Sequence, residues 1–191
     1  MSKKKLALVF ILMLLGVGGV FLWQKNQKDV ARLNKGLPEG VRVNKGPTKP
    51  YEIINKRYGY EFQLPEERME IWSIEYSESE EMTYTCRVCN NAGILFVGLT
   101  GGKGGNMMLE SYVTINENIN LDTFAQEGNP TWLYKMEVEQ SKVGNVNVLK
   151  ARRKYEWGWL YNYFFRGELN FYRLEYTSEE FIQEIISSGK W

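Results

Sequence analysis

The chain has no histidine and only two cysteines among its 191 residues. The first absence closes several reaction classes at once. Ser-His-Asp and Cys-His nucleophile systems, histidine-ligated zinc and the usual proton shuttle near neutral pH all need an imidazole. With Cys86 and Cys89 as the whole thiol complement, a four-ligand zinc site would need carboxylates or a second chain. A dominant charge is lacking too. Lysine and arginine number 24 and aspartate and glutamate 23, a formal net charge of +1. Nucleic acid requires a strongly basic face, so no nucleic-acid partner is expected.

What is present begins with an apolar run, Leu6 to Trp23, free of charge and preceded by Lys3, Lys4 and Lys5. A run of that length can cross a hydrocarbon core of about 30 Å as a helix. A cleaved secretory signal competes with this reading. Gly16 and Gly18 suit a cut site, but Val20-Phe21-Leu22-Trp23 continue the run past it. A lipoprotein signal needs a cysteine just beyond the run, and a buried core helix would be amphipathic. The run therefore reads as a single-pass transmembrane signal-anchor in the cell membrane. Lys25, Lys28, Arg32 and Lys35 nearly balance the leading lysines, and the short leading tail favours a cytoplasmic N-terminus. The expected organisation is a cytoplasmic tail (1–5), an anchor (6–23), a flexible linker (24–50) and an extracytoplasmic globular domain (51–191). Gly36, Pro38, Gly40, Gly46, Pro47 and Pro50 break any regular element in the linker.

Within the domain, Tyr58 to Leu64 alternates apolar and polar residues and stops at Pro65, as a half-buried strand does. A second strand follows, with Trp72, Ile74 and Tyr76 as its expected core face. Met82–Cys89 and Ala92–Thr100 suggest a hairpin about Asn90-Asn91. Asn120 can cap a short helix that buries Leu121, Phe124 and Ala125. Four strands are expected over Trp132–Gln140, Val143–Lys154, Gly158–Phe165 and Leu169–Tyr176. A closing helix starts at Thr177, paired with Glu180 as a capping box, and carries one stripe of Phe181, Ile182, Ile185 and Ile186.

Two of these stretches carry a resemblance. Tyr58-Gly59-Tyr60-Glu61-Phe62-Gln63-Leu64-Pro65 with Trp72 resembles the aromatic opening of PsbP-like domains. Phe181-Ile182 through Ile185-Ile186-Ser187-Ser188-Gly189-Lys190-Trp191 resembles their final helix, and the helix near Leu121 to Gln126 falls where such domains place one. The similarity covers about Tyr51 to Trp191. It implies an α+β fold, an antiparallel β-sheet flanked by helices as an α/β/α sandwich. Without histidine, the metal sites of some members do not carry over, and the setting is an anchor in place of a transit peptide.

Cys86-Arg87-Val88-Cys89 is the sharpest chemical motif. Redox pairs usually sit at a helix N-terminus, whereas this one lies in a β-type stretch. On a regular strand the two Cα atoms would be roughly 10 Å apart, beyond disulfide reach. A bulge or turn at Arg87-Val88 would let them join, so a structural disulfide or thiol pair stands beside thiol-redox catalysis and a shared metal. Gly101, Gly102, Lys103, Gly104 and Gly105 suggest a binding loop. The run lacks the spacing and the Ser/Thr of a phosphate loop. Arg152, Arg153 and Lys154 alternate across a strand and so form no single patch. Glu66, Glu67 and Glu70, or Glu78, Glu80 and Glu81, read as solvated carboxylates. The strip Trp159, Tyr161, Tyr163, Phe165 reads as core, and Leu160, Phe164 and Trp157 on the other side need cover from a helix or a partner. No cofactor is expected. The expected role is non-catalytic, binding or assisting assembly of another envelope protein or complex. A thiol-redox enzyme and a small-ligand carrier are the alternatives.

Overall fold

The computed structural model describes residues 3–46, 50–65, 70–78, 89–100, 105–114, 118–128, 137–168 and 170–191. Among them are ten strands and three helices. Helix α1 (Lys3–Asn34) leads into β1 (Val41–Lys45), β2 (Tyr51–Asn55) and β3 (Tyr60–Gln63), a small antiparallel sheet in the order β1-β2-β3. Then come β4 (Glu70–Glu78), β5 (Cys89–Thr100), β6 (Gly105–Thr114), α2 (Leu121–Gly128), β7 (Glu137–Val143), β8 (Val146–Tyr155), β9 (Gly158–Arg166), β10 (Phe171–Tyr176) and α3 (Glu179–Ser188). The seven later strands form one antiparallel sheet in the order β4-β5-β6-β10-β9-β8-β7. The last strand thus closes the gap between two meanders, β4-β5-β6 and β7-β8-β9.

Alternation along these strands divides the large sheet into an inner and an outer face. The inner face presents Leu95, Val97, Leu109, Tyr163, Phe165, Tyr172 and Leu174, all buried, to the small sheet and to the apolar stripe of α3. Phe181, Ile182, Ile185 and Ile186 form that stripe, so the sequence period and the observed burial coincide. The cap of α3 is Ser178, whose Oγ accepts from the Phe181 amide at 3.4 Å, and not the expected Thr177. The C-terminal Trp191 closes the inner core by stacking on Phe62, with ring centroids 5.7 Å apart. The small sheet is tied down at its β2–β3 turn. Gly59 adopts φ +68 there, a conformation glycine takes at little cost. The Tyr58 carbonyl at this turn accepts from the Tyr172 hydroxyl at 2.5 Å and from Asn170 Nδ2 at 3.0 Å.

On the outer face, α2 covers one end of the sheet. Phe124 stacks on Phe171 at 4.5 Å and meets Tyr112 and Phe164 edge-on. Leu149, Ala151, Ala92 and Cys89 complete this second cluster. Phe164 therefore has the cover its sequence demanded.

Three expectations change. The architecture is mostly antiparallel β, in two sheets, and not one sheet flanked by helices as an α/β/α sandwich. The physical reason is that Val41–Lys45, which buries Val41 and Val43, and Tyr51–Asn55, buried except at Glu52, pair as strands, so the inner layer is part sheet and part helix. The stretch 24–50, expected to be a flexible linker, contains the end of α1 and all of β1. Leu33 and Val43 are buried in the main core, and Asn34 exchanges two 2.8 Å hydrogen bonds with the Val43 backbone.

The transmembrane signal-anchor is also corrected. Among the described residues, no helix is long and apolar enough to cross a membrane. Helix α1 continues past Trp23 to Asn34. Its unbroken run of described side chains, Val17 to Asn34, includes Lys25, Lys28, Asp29 and Arg32. Phe21, Leu22 and Trp23 are exposed on it.

Candidate functional site: the open part of the outer face

Among the described residues, the sequence-selected side chains do not converge. Cys89 opens β5, is buried and is disulfide-bonded. Cys86 lies outside the described residues. The Asn90-Asn91 pair is no hairpin turn, because Cys89 pairs with Thr114 and Asn91 with Val113 across a bulge inside the strand. Gly101, Gly102, Lys103 and Gly104 lie outside the described residues, and Gly105 opens β6 at φ +152. Glu66, Glu67, Glu80 and Glu81 also lie outside them. Glu78 is held by Arg57 at 2.5 Å and accepts from the Tyr76 hydroxyl at 2.8 Å, a surface pairing. No group of three potential metal-ligating His, Cys, Asp or Glu side chains occurs among the described residues.

Beyond α2, the outer face changes character. Arg173, on the central strand, is buried and spends its guanidinium on three neighbours. Nε donates to Asn162 Oδ1 at 2.7 Å, Nη1 to Glu110 Oε2 at 2.9 Å and Nη2 to Glu175 Oε2 at 2.6 Å. The Tyr112 hydroxyl adds a 2.7 Å hydrogen bond to the same Glu110 oxygen. Burial opposes the Arg173 charge, but Glu110 and Glu175 outweigh it and raise the pKa. Burial raises the Glu175 carboxyl above the usual carboxylate range, with Arg173 pulling the other way. Two carboxylates face one guanidinium, so a proton on Glu175 brings this buried set to neutrality. Such a network fixes β6, β9 and β10 relative to one another, and removing one member leaves a buried charge unpaired.

Beside it the face is open and carries exposed aromatics among polar side chains. Glu75 of β4 pairs with Phe96 of β5, which pairs with Met108 of β6. Phe96 is 39% exposed. On β4 the register slips between Ile71 and Ser73. The bulge takes Trp72 out of the expected core face with Ile74 and Tyr76 and leaves it 53% exposed. Bulges characteristically re-aim a side chain in this way. The indole lies directly over Gly98, where an added Cβ would come within 2.4 Å of it, so only glycine leaves room for the ring. Arg32 of α1 fixes the bulge from behind, donating to the Trp72 and Ile71 carbonyls at 2.8 and 3.2 Å. Trp72 and Phe96 are thus two exposed aromatics on neighbouring strands, and Trp72 is held in place by the bulge, Gly98 and Arg32.

The β8–β9 hairpin holds the remaining sequence-selected residues. Arg152 faces Tyr161 and Lys154 faces Trp159 on the inner side, while Arg153 faces Leu160 on the outer side. The alternation is as expected, but each cation stands near an aromatic ring. Further down the inner side, Lys150 is nearly buried and bonded to Glu179 at 2.5 Å and Glu139 at 2.9 Å. Burial lowers its pKa, and those hydrogen bonds more than reverse the effect. Elsewhere, a cleft of about 360 Å³ opens between the start of α2 and the β7–β8 turn, lined by Asn120, Asn145, Asn147, Arg166 and three apolar residues. Its lining is mixed polar and apolar, unlike the mainly apolar pocket a small-ligand carrier would offer.

Sequence reasoning placed Trp72 on the wrong face and passed over Phe96 and the Arg173 set. The signal available for the latter was Phe171-Arg173-Glu175 on one side of a strand whose other side is Tyr172-Leu174-Tyr176. No family model matches the chain, and no curated protein or solved structure is significantly similar to it. The resemblance to PsbP-like domains is neither supported nor opposed by these comparisons.

Proposed function

We propose that this chain is a binding module that docks another protein, or assists assembly of a complex, outside the cytoplasm. The observation that carries the reading is Trp72, exposed beside Phe96 and held rigid by the β4 bulge, Gly98 and Arg32. Tryptophan is over-represented among the few residues that dominate binding energy, and a preorganised aromatic loses little conformational entropy on docking. The half-buried Met108 beside Phe96 extends the apolar surface, and the buried Arg173 network supplies a rigid floor. The disulfide at Cys89 suits an oxidising compartment.

The test compares tagged wild-type chain with Trp72→Ala and Phe96→Ser variants for proteins captured from the native cells. The reading expects a specific set of captured proteins that both variants lose while remaining folded. An unchanged set from both variants would overturn it.

A further inference from the structure

The β8–β9 hairpin carries a second surface of different chemistry. At its turn Trp157 is 62% exposed and stacks on Tyr155, with centroids 4.9 Å apart and planes at 9°. The Arg153 guanidinium lies 4.9 Å from the Tyr155 ring centre. On the other side of the ribbon, the Arg152 guanidinium lies 5.2 Å and the Lys154 ammonium 6.0 Å from the Trp159 ring centre. Three cations and three aromatic rings therefore share one hairpin end, with Glu156 as the only acidic side chain in its sequence from Arg152 to Trp159. A guanidinium stacked on a ring keeps its in-plane N–H donors available to phosphate oxygens.

The strand register locates this end. Among the described residues, β7 pairs as far as Arg152 and β10 as far as Tyr161. Among the described residues, Arg153 to Leu160 pair only with each other there, as a two-stranded ribbon. Ser73, Gly98 and Asn106 lie across one end of the sheet, and the Arg153–Leu160 pair lies at that same end. Helix α1, with Phe21, Leu22 and Trp23 exposed, joins the domain there through Arg32.

We propose that this ribbon rests end-on against an anionic lipid surface, with Trp157 among the headgroups and Arg153 and Lys154 on lipid phosphates. Cations on both sides of the ribbon favour a headgroup layer, which surrounds an inserted tip. A single acidic polypeptide would meet only one side. Tryptophan and tyrosine concentrate at the membrane–water interface, and basic side chains there gain from anionic lipid. The proposal is argued from the ribbon and does not depend on the reading of the Trp72 surface, which lies at the same end of the sheet.

The experiment measures partition of the full chain onto vesicles of phosphatidylcholine alone and of phosphatidylcholine mixed with phosphatidylglycerol. The ratio of the two partition constants removes any contribution of α1 common to both. Wild type is expected to prefer the anionic vesicles, and the preference is expected to fade with added salt. The double variant Arg153→Gln/Lys154→Gln should lose roughly twenty-five-fold of that preference, at about fivefold per cation near an anionic surface. Trp157→Ala should weaken partition onto both vesicle types. An unchanged ratio in the double variant overturns the proposal. Binding to polyglutamate that needs Arg153 and Lys154, with the lipid ratio unaltered, overturns it in favour of an acidic protein partner.

Discussion

The two faces of the seven-stranded sheet are made by the same strands, residue by alternate residue, yet they meet different surroundings. The inner face packs against the small sheet and α3, and there its side chains are mostly apolar and buried, giving way to Lys150, Arg152 and Lys154 toward the β8–β9 hairpin end. Among the described residues, the outer face is covered chiefly at the α2 end. Past that cover it turns first into a buried ion network around Arg173 and then into exposed aromatics at Phe96 and Trp72. Where a cover exists, alternation produces a core. Where the described residues supply little cover, the same alternation produces polar pairing and then a surface available to a partner.

Substitutions separate the two faces by size of effect. The largest is expected on the inner face. Phe165 is fully buried, stacks on Tyr172 at 5.4 Å and meets Trp191 edge-on at 4.8 Å. Phe165→Ala should cost about 4 kcal/mol in chemical denaturation, through lost transfer energy and the cavity left behind. A cost below about 1 kcal/mol would show that the inner face is not the main core.

On the outer face, Arg173→Ala should cost about 3 kcal/mol, because Glu110 would stay buried without its partner. Replacing Arg173 together with Glu110 and Glu175 by apolar residues of similar volume should recover much of that loss. No recovery would mean that the network does more than balance its own charge.

Glu175 gives a smaller effect with a defined pH sign. Burial raises its carboxyl above the ordinary 4.5, so the folded chain keeps a proton that the unfolded chain releases. Its contribution therefore makes the fold less stable as pH rises from about 4.5 through the folded value, and restores stability on acidification. Glu175→Gln, which stands in for the protonated carboxyl, should flatten that slope, leaving stability in acid nearly unchanged and raising it modestly toward neutral pH. An unaltered slope in urea titrations across this range would assign it to another group.

The smallest stability effect is expected at Trp72. Half-exposed and resting on a glycine, it should cost about 1 kcal/mol or less when replaced by alanine.

These contrasts also mark what was legible in the sequence. The stripe Phe181, Ile182, Ile185, Ile186 and the alternation in Tyr58 to Leu64 and Gly158 to Phe165 state their structures directly, because a single period runs through each. Residues 41–45 were hidden because a five-residue strand between Gly40 and Gly46 reads as spacer until its partner Tyr51–Asn55 is known. Trp72 was misplaced because period-two reasoning assumes an unbroken register, and one bulge moves every preceding residue to the opposite side. Arg173 and Glu110 are 63 residues apart. Only the insertion of β10 beside β6 brings them together, a long-range event that no local pattern records.

The claim that the open outer face is a docking surface is tested most directly by partner capture with Trp72→Ala at matched folded concentration. The account expects the variant to keep its denaturation midpoint within about 1 kcal/mol of wild type and to lose the captured proteins. A variant that unfolds readily yet, once folded, still captures them would contradict it. Trp72 would then be part of the core after all, and the outer face would not be where the partner binds.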